Sequence, residues 1–218
     1  MQFFSGLLNL FLQSNCSLCQ RSTEKEFCEY CLRQLTKCKL SDSNLLWHQP
    51  LPVFAWGAYG GVLKRAIAVM KYEKQPQIAL PLGQLLGQAW LSNSPQQKVV
   101  VVPIPLHKNK QKQRGYNQAA LIAQSFCATT GLKLKLNGLL RVQETKAQFE
   151  LSAVEREKNL LGAFGVGKGF SRGSNTPVLL IDDIYTTGAT ASSAQQTLER
   201  AGIEVLGLAV AAATIKNR

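Results

Sequence analysis

One segment, Val178–Thr190, constrains the fold of this chain more than any other. Its sequence, VLLIDDIYTTGAT, predicts a buried strand that ends in two adjacent carboxylates, followed by a short turn of threonines and glycine that opens a helix. In open α/β sheets, ligands bind at the carboxyl ends of the strands. The N-terminus of a helix offers unpaired N–H groups and a positive dipole end, which together attract anions. The pattern therefore predicts an anion site beside Asp182 and Asp183.

The side chains of this segment divide into two chemical groups. Gly188 lets the backbone approach a phosphate closely. The hydroxyls of Thr186, Thr187 and Thr190 add donors around it, and Ala189 belongs to the same turn. The two carboxylates repel a phosphate, but they accept hydrogen bonds from sugar hydroxyls or help to hold a Mg²⁺ that bridges to the ligand. An ordinary capped helix after a strand would account for one acid and one threonine, not for two acids and three threonines.

Strands and helices alternate from residue 99 onward. Continuous apolar runs predict buried strands, and apolar side chains at helical spacing predict the helices between them. The expected strands begin at Val99, at Val178 and at Ile203, and the expected helices are Asn117–Thr130 and Thr190–Ala201. Strands separated by helices imply parallel pairing. We therefore expect an α/β fold with a parallel sheet flanked by helices.

The region before residue 99 is less regular. Helical spacing of apolar residues predicts helices over Val62–Tyr72 and Gln77–Trp90. An aromatic run precedes them, in which Trp56 and Tyr59 either stack on a ligand ring or pack in the core. We divide the chain into an N-terminal part, a mixed region that packs on the core, and the core itself, covering residues 1–40, 41–98 and 99–218.

A second run of polar residues follows the strand that begins at Val99. Because parallel strands end at one edge of a sheet, His107 and Lys108 should lie beside the threonine turn. The basic stretch 109–118 is predicted to be a loop, in which Arg114 would make bidentate contacts with a diphosphate. A solvent-exposed loop without a ligand explains this stretch equally well, and His107 is either a proton donor or a polar contact.

Five of the six cysteines lie in the first 40 residues. Four of them form two Cys-x2-Cys pairs separated by eight residues, namely Cys16, Cys19, Cys28 and Cys31. Two such pairs complete a tetrahedral Zn²⁺ site, and a closed site of this kind is structural rather than catalytic. Redox pairs or an iron–sulfur cluster are the alternatives. Cys38 is a substitute ligand or a free thiol, and Cys127 is expected in the core.

The chain is strongly basic, with 25 Lys and Arg against 13 Asp and Glu and a formal net charge of +12. This excess suits phosphates, diphosphates or nucleic acid, although solvated basic faces would give the same total. No stretch approaches the roughly 18 apolar residues that span a bilayer. The apolar segment Phe3–Leu12 lacks a basic leader, so we expect a helix packed on the domain of a cytoplasmic protein rather than a signal peptide.

Several motifs carry a resemblance to known families. Val178–Thr190 resembles, over its full length, the phosphoribosyl diphosphate signature of type I phosphoribosyltransferases. The blocks PIPLH and RGYNQA and the stretch 145–164 resemble those of the ComF family, in the family's order. The likeness implies a type I phosphoribosyltransferase fold with an N-terminal zinc knuckle. It places Asp182 and Asp183 on the ribose hydroxyls and residues 186–190 around the 5-phosphate.

The resemblance also implies a reaction, the displacement of diphosphate at the anomeric carbon of the ribose. Asp182, Asp183 and Arg114 are then the catalytic candidates, and Mg²⁺ accompanies the diphosphate. The stretch from Gln148 resembles the loop that closes over the diphosphate in glutamine amidophosphoribosyltransferases, which adds Gln148 and Arg156 as diphosphate contacts. A helix cap formed by residues 152 and 155 is the structural alternative for that stretch.

The ComF resemblance implies a second class of function as well, a role in natural transformation beside the DNA-uptake machinery. A basic surface with aromatic side chains is compatible with single-stranded DNA. A sensor that binds phosphoribosyl diphosphate without turnover is a third interpretation. The acceptor substrate and the oligomeric state have no signature in the sequence.

Overall fold

Strands and helices alternate along most of the chain. The computed structural model describes residues 14–93, 98–143, 162–168, 170 and 176–215. The strands in these ranges are β1 (Ser14–Asn15), β2 (Ser22–Thr23), β3 (Val53–Ala58), β4 (Val100–Pro103), β5 (Lys133–Leu134), β6 (Leu139–Arg141), β7 (Phe164–Val166), β8 (Val178–Tyr185) and β9 (Val205–Ala213). The α-helices are α1 (Glu29–Thr36), α2 (Gly61–Tyr72), α3 (Ala79–Asn93), α4 (Lys108–Arg114), α5 (Gln118–Thr130) and α6 (Ala189–Arg200).

A five-stranded sheet organises these elements. Its strand order is β3–β9–β8–β4–β5, and every neighbouring pair is parallel. The register places Val102 opposite Leu180, and Leu180 opposite Leu208. β8 therefore lies in the middle of the sheet, and its carboxyl end is flanked by strands on both sides. The expected α/β class with a parallel sheet is confirmed.

Helices cover both faces of the sheet, because alternate residues of β8 point to opposite sides. Leu179 and Ile181 belong to a core that includes buried residues of α2, α3 and α5. Val178 and Leu180 belong to a second core that includes Leu198 of α6. A strand buried on both faces needs a continuous apolar sequence, which is what the chain supplies before its two aspartates.

Two glycines bring α3 and α5 close together. A Cβ atom at Gly83 would lie 2.5 Å from the Cβ of Ser125, and one at Gly87 would lie 2.8 Å from the Cβ of Thr129. Ser125 also donates a hydrogen bond of 2.6 Å to the carbonyl of Leu80. This close contact fixes α5, whose first residues reach the carboxyl edge of the sheet.

The predicted helices are confirmed with small shifts of their ends. Asn117 caps α5 by accepting a 3.0 Å hydrogen bond from the N–H of Ala119, and Gly131 ends the helix at φ 74°. The helix expected over Gln77–Trp90 becomes a 3-10 turn at Pro76–Ile78 followed by α3.

The prediction of a loop after His107 is wrong. Residues Lys108–Arg114 form α4, whose first turn is capped by Nδ1 of His107, which accepts a 3.3 Å hydrogen bond from the N–H of Asn109. Lysine, glutamine and arginine are good helix formers, and Gly115 ends the helix at φ 90°. The aromatic run before α2 also forms a strand, β3, so the region 41–98 shares its sheet with the residues that follow.

Three further residues considered in the sequence lie in the core or against it, namely Trp56, Tyr59 and Cys127. Trp56 is 2% exposed in the core, and Tyr59 is half-buried against it. Cys127 is half-buried, and burial raises the pKa of its thiol to about 12, as expected of an inert core cysteine. In the part of the chain that the structure describes, no helix is long and apolar enough to cross a membrane.

Candidate functional site

The two aspartates lie inside β8, which continues past them to Tyr185, rather than directly after the strand as the sequence suggested. Because neighbouring residues of a strand point to opposite faces, their surroundings differ. Asp182 is half-buried on the face covered by α6, whereas Asp183 is buried on the face covered by α2 and α5. One Asp182 carboxylate oxygen accepts a 2.8 Å hydrogen bond from the N–H of Asp183.

A polar network surrounds Asp183. Lys71, in the last turn of α2, forms an ion pair with one carboxylate oxygen, and Gln118, at the start of α5, donates a 3.3 Å hydrogen bond to the other. Arg114 donates in turn to the side-chain oxygen of Gln118, and its guanidinium lies 5.9 Å from the ring centre of Tyr72. The network thus connects two cations to one buried carboxylate and brings Arg114, 69 positions before Asp183 in the numbering, to the carboxyl edge of the sheet.

The charges of this network are set by burial and by neighbouring groups. Burial favours the neutral form of Asp183, but the Lys71 ammonium outweighs burial and lowers the pKa of Asp183. Burial and the neighbouring Asp183 charge both raise the pKa of Asp182 well above its ordinary value. For Lys71, burial lowers the pKa, but Asp183 overcomes this and raises it. The pair therefore holds one charged carboxylate beside one that protonates easily.

Removing the Lys71 charge should destabilise the protein in a pH-dependent way. Lys71→Met leaves a carboxylate that is only 4% exposed with one amide donor, so we expect a loss of about 3 kcal/mol at pH 7. The lowered pKa of Asp183 stabilises the wild type above the unfolded value of about 3.9, and this gain disappears as the pH falls through the folded value. In the variant, burial instead raises the pKa of Asp183, which stabilises only at acid pH. The deficit measured by urea unfolding should therefore shrink between pH 7 and pH 4.

Lys64→Met is the matched control, because Lys64 is an exposed lysine on the same helix. It should change the free energy of unfolding by less than about 0.5 kcal/mol at either pH. The double variant Lys71→Met, Asp183→Asn should recover most of the loss. An equal loss for Lys71→Met at both pH values would contradict the ion pair.

The turn after β8 has the form of an anion site. Gly188, at φ 78°, is the N-cap of α6, and no described side chain caps the helix. A Cβ at Gly188 would also lie 2.8 Å from the ring of Tyr185, which would have to shift, and the positive φ itself favours glycine at this position. A pocket of about 50 Å³ lies here, and its lining includes Asp182, Thr186, Thr187, Gly188, Ala189 and Thr190.

A larger cleft of about 680 Å³ lies between α4, α5 and the β6 strand. His107 and Lys108 line one side of it, and Arg141 of β6 lines the other. Burial lowers the pKa of Arg141, while the charge of Asp182 partly restores it, so this guanidinium lies near the acidic pair. None of the described residues that line the cleft is an aspartate or glutamate.

The structure brings together most of the predicted site residues. Asp182, the threonine turn, Asp183 and Arg114 lie around one edge, with His107 and Lys108 in the adjoining cleft. Gln148 and Arg156 lie outside the described residues. Lys71 and Arg141 were not predicted, because nothing local in the sequence distinguishes them from solvated cations.

The four knuckle cysteines form one cluster. Their sulfur atoms all lie within 4.8 Å of one another, and those of Cys19 and Cys28 are 3.5 Å apart. A zinc ion with bonds of about 2.3 Å places its ligand sulfurs about 3.8 Å apart, so the cluster fits the metal. All six cysteines are free of disulfides. Cys38 lies outside this group, 3.7 Å from the carbonyl of Gly60.

The electrostatics of the cluster also suit a cation. Burial opposes ionisation of Cys16, but hydrogen bonds from the knuckle backbone outweigh burial and lower the pKa of this thiol to about 6. Backbone N–H groups that point at sulfur stabilise thiolates, which are the form that binds metal. For Cys31, burial and the neighbouring thiols raise the pKa.

Comparison with known proteins places the chain in a family. Competence protein F of Haemophilus influenzae is 31% identical, over 94% of this chain and 93% of that protein. The chain belongs to the ComF family. Other ComF relatives are competence protein ComFC of Bacillus subtilis, 28% identical over 86% of this chain and 72% of its own, and DNA utilization protein YhgH of Escherichia coli, 27% identical over 86% and 85%. No family model matches the chain.

Solved structures similar to this ComF-family chain are adenine phosphoribosyltransferases. The enzyme of Leishmania donovani gives a TM-score of 0.42 at 14% identity, over 79% of this chain and 72% of its own. The enzyme of Leishmania tarentolae gives 0.39 at 19% identity, and there the chain covers 59% of the enzyme's length.

Proposed function

We propose that this chain binds a phosphoribosyl diphosphate across the carboxyl edge of β8, within a role in DNA uptake or utilisation. Asp182 supports the ligand part of the proposal, because it lies half-buried beside the threonine turn, at the start of α6, where no described side chain caps the helix. The names of the relatives, which refer to competence and DNA utilization, support the second half.

The 5-phosphate would bind at the turn. N–H groups at the start of α6 and the hydroxyls of Thr186, Thr187 and Thr190 would donate to its oxygens, and the helix dipole would favour its charge. The ribose would then extend over the end of β8, where its hydroxyl groups would donate to Asp182. Asp183 would support the site from inside the protein, because its carboxylate already pairs with Lys71 and accepts a hydrogen bond from Gln118.

The diphosphate would lie among the cations around the acidic pair. Arg114 reaches this edge through its hydrogen bond to Gln118, and Arg141 and Lys108 line the adjoining cleft. Lys71 adds a further charge. Gln148 and Arg156 are further candidates for this end of the ligand. Asp182 would help to hold a Mg²⁺ bound with the diphosphate, because the carboxylate of Asp183 is already paired with Lys71.

This arrangement would also serve turnover. When the bond between the anomeric carbon and the diphosphate breaks, negative charge develops on the leaving group, and fixed cations stabilise it. Arg114 would contribute to this, and its guanidinium donates to Gln118 and lies 5.9 Å from the ring centre of Tyr72. The reaction needs positioned charge rather than an enzyme nucleophile. The acceptor would enter from the cleft beside Arg141.

The knuckle would hold one Zn²⁺ through Cys16, Cys19, Cys28 and Cys31. The metal would fix the fold of residues 16–31 and leave no position open for substrate. Its role in this proposal is structural.

The experiment is calorimetric titration of the full chain with phosphoribosyl diphosphate and Mg²⁺. One saturable site is expected, with weaker binding of ribose 5-phosphate and of diphosphate alone, because each occupies only one end. If phosphoribosyl diphosphate with Mg²⁺ does not bind, the assignment of this ligand is wrong. Release of diphosphate in the presence of candidate acceptors would then separate an enzyme from a sensor.

Single-stranded DNA is the second candidate ligand, and α4 favours it. This short helix exposes Lys108, Lys110 and Lys112 beside a cleft without described carboxylates. Lys110→Gln, Lys112→Gln should weaken binding of an oligonucleotide and flatten the slope of log K against log salt by about 1.4, or about 0.7 for each lost phosphate contact. Fluorescence anisotropy at several salt concentrations measures this slope. An unchanged slope would place the DNA contacts elsewhere.

A further inference from the structure

The residues Arg114–Gln118 lead from the last residue of α4 to the first residue of α5. Gly115 reverses the chain at φ 90°. The hydroxyl of Tyr116 donates a hydrogen bond to a backbone carbonyl of α2. Asn117 caps α5 and donates a 3.0 Å hydrogen bond to the carbonyl of Ile104, just after β4. The turn is therefore tied to α2 and to the end of β4, which restricts its movement.

The side chain of Gln118 is buried at the end of this turn and connects two charged groups. Its amide oxygen accepts a hydrogen bond from the guanidinium of Arg114, and its amide nitrogen donates a 3.3 Å hydrogen bond to the carboxylate of Asp183. Only 5% of Gln118 is exposed. The reverse orientation of the amide would set its oxygen against the carboxylate and its NH₂ group against the guanidinium, so that neither bond could form. The two charges therefore fix the amide in one orientation.

The carboxylate of Asp183 anchors this chain of hydrogen bonds. Asp183 is 3% exposed and paired with Lys71, so it cannot move without breaking a buried ion pair. At the other end of the chain, the guanidinium of Arg114 lies 5.9 Å from the ring centre of Tyr72, which is 77% exposed. A cation–π contact with so exposed a ring is weak. Gln118 is therefore the firmer of the two supports for Arg114.

We propose that Gln118 is a positioning residue, which holds Arg114 in place for the diphosphate end of the ligand. This role rests on the proposed function, in which Arg114 is one of the cations around the diphosphate. A guanidinium that is fixed before the ligand arrives loses less conformational entropy on binding. It also needs no reorganisation when charge develops on the leaving group. Gln118 would act through Arg114, because both ends of its own amide are already bonded.

The place of Gln118 in the fold predicts an effect on only one end of the ligand. Gln118 and Asp183 lie on the face of β8 that α2 and α5 cover, whereas the threonine turn opens α6 on the other face. The 5-phosphate would bind at that turn, and the diphosphate would bind near Arg114. Loss of Gln118 should therefore weaken the contacts of the diphosphate and preserve those of the 5-phosphate.

Calorimetric titration of the full chain with two ligands tests this proposal. Gln118→Met keeps the length of the side chain but removes both hydrogen bonds. It should weaken binding of phosphoribosyl diphosphate with Mg²⁺ roughly tenfold, and binding of ribose 5-phosphate by less than about twofold. Gln88→Met, at an exposed glutamine of α3, is the matched control and should leave both affinities within about twofold. In an Arg114→Met background, Gln118→Met should cause almost no further loss, because residues that act as one unit are not additive.

A second variant, Gln118→Asn, covers the case in which Gln118→Met unfolds the protein. Its shorter amide can bond to Arg114 or to Asp183 but not to both, so the same selective loss is expected. Equal losses for the two ligands, or a further loss of about tenfold in the Arg114→Met background, would show a structural role and overturn the proposal. If the wild type binds phosphoribosyl diphosphate and the Gln118 variants bind it equally well, the positioning role alone is wrong. If the wild type does not bind it, the proposed function is wrong, and the positioning role with it.

Discussion

Asp182→Asn should weaken binding of phosphoribosyl diphosphate by roughly 100-fold. The substitution keeps the shape of the side chain but replaces one acceptor oxygen with an N–H donor, so a ribose hydroxyl that donated to that oxygen is left without an acceptor. A buried group left unsatisfied costs up to about 3 kcal/mol, which corresponds to about two factors of ten. Calorimetric titration of the variant beside the wild type measures the change.

Glu204→Gln is the matched control, since it removes an exposed carboxylate just before β9, at the opposite edge of the sheet. It should leave the affinity within about twofold of the wild type, because only screened charge is lost. If the wild type binds and Asp182→Asn binds as tightly, the ribose does not contact Asp182 and the ligand lies elsewhere. The Asp183→Asn variant is less informative, because it also leaves Lys71 without its buried partner.

The fold was predictable where local signals and tertiary packing agree. The apolar run of β8 is buried on both faces, and the ends of α5 carry a capping asparagine and a terminal glycine. These features depend on residues close in sequence, so a reader of the sequence can recognise them.

The prediction failed where an element depends on a single cap or on distant partners. The basic stretch Lys108–Arg114 has no apolar stripe, and its helix depends on caps at His107 and Gly115. β3 contains an aromatic run whose strand pairing with β9 lies more than 140 residues away. The spacing of apolar residues within a short window indicates neither the caps of α4 nor the distant pairing of β3.

In the candidate site, too, residues of one continuous motif were predictable and residues from distant elements were not. Asp182 and the threonine turn occupy one continuous motif, so their proximity follows from the sequence. Lys71 and Arg141 reach the acidic pair from separate elements, α2 and β6, and only the folded chain brings them there. The consequence is chemical: the sequence suggested two equivalent carboxylates, whereas Lys71 makes Asp183 the charged member and leaves Asp182 with the raised pKa.

Removal of one knuckle cysteine should have the second large effect, on stability. The wild type should purify with one zinc ion per chain, and Cys31→Ser should purify with almost none, because three ligands leave the metal exposed to exchange. A ligand that binds only the folded state at about 1000 times its dissociation constant stabilises that state by about 4 kcal/mol, so a loss of this size is expected. Metal analysis and thermal unfolding measure the two changes.

Cys127→Ser is the control for thiol loss, because Cys127 is half-buried and lies outside the cluster. It should keep the zinc content. The damage from Cys31→Ser should extend beyond the knuckle, because Cys16, Leu18, Phe27 and Leu35 are buried in the same core as α2 and α3. A metal-free wild type that unfolds at the same temperature as the zinc-loaded protein would contradict a structural metal, and the hydrogen-bonded thiolate of Cys16 would then point to redox chemistry at this cluster.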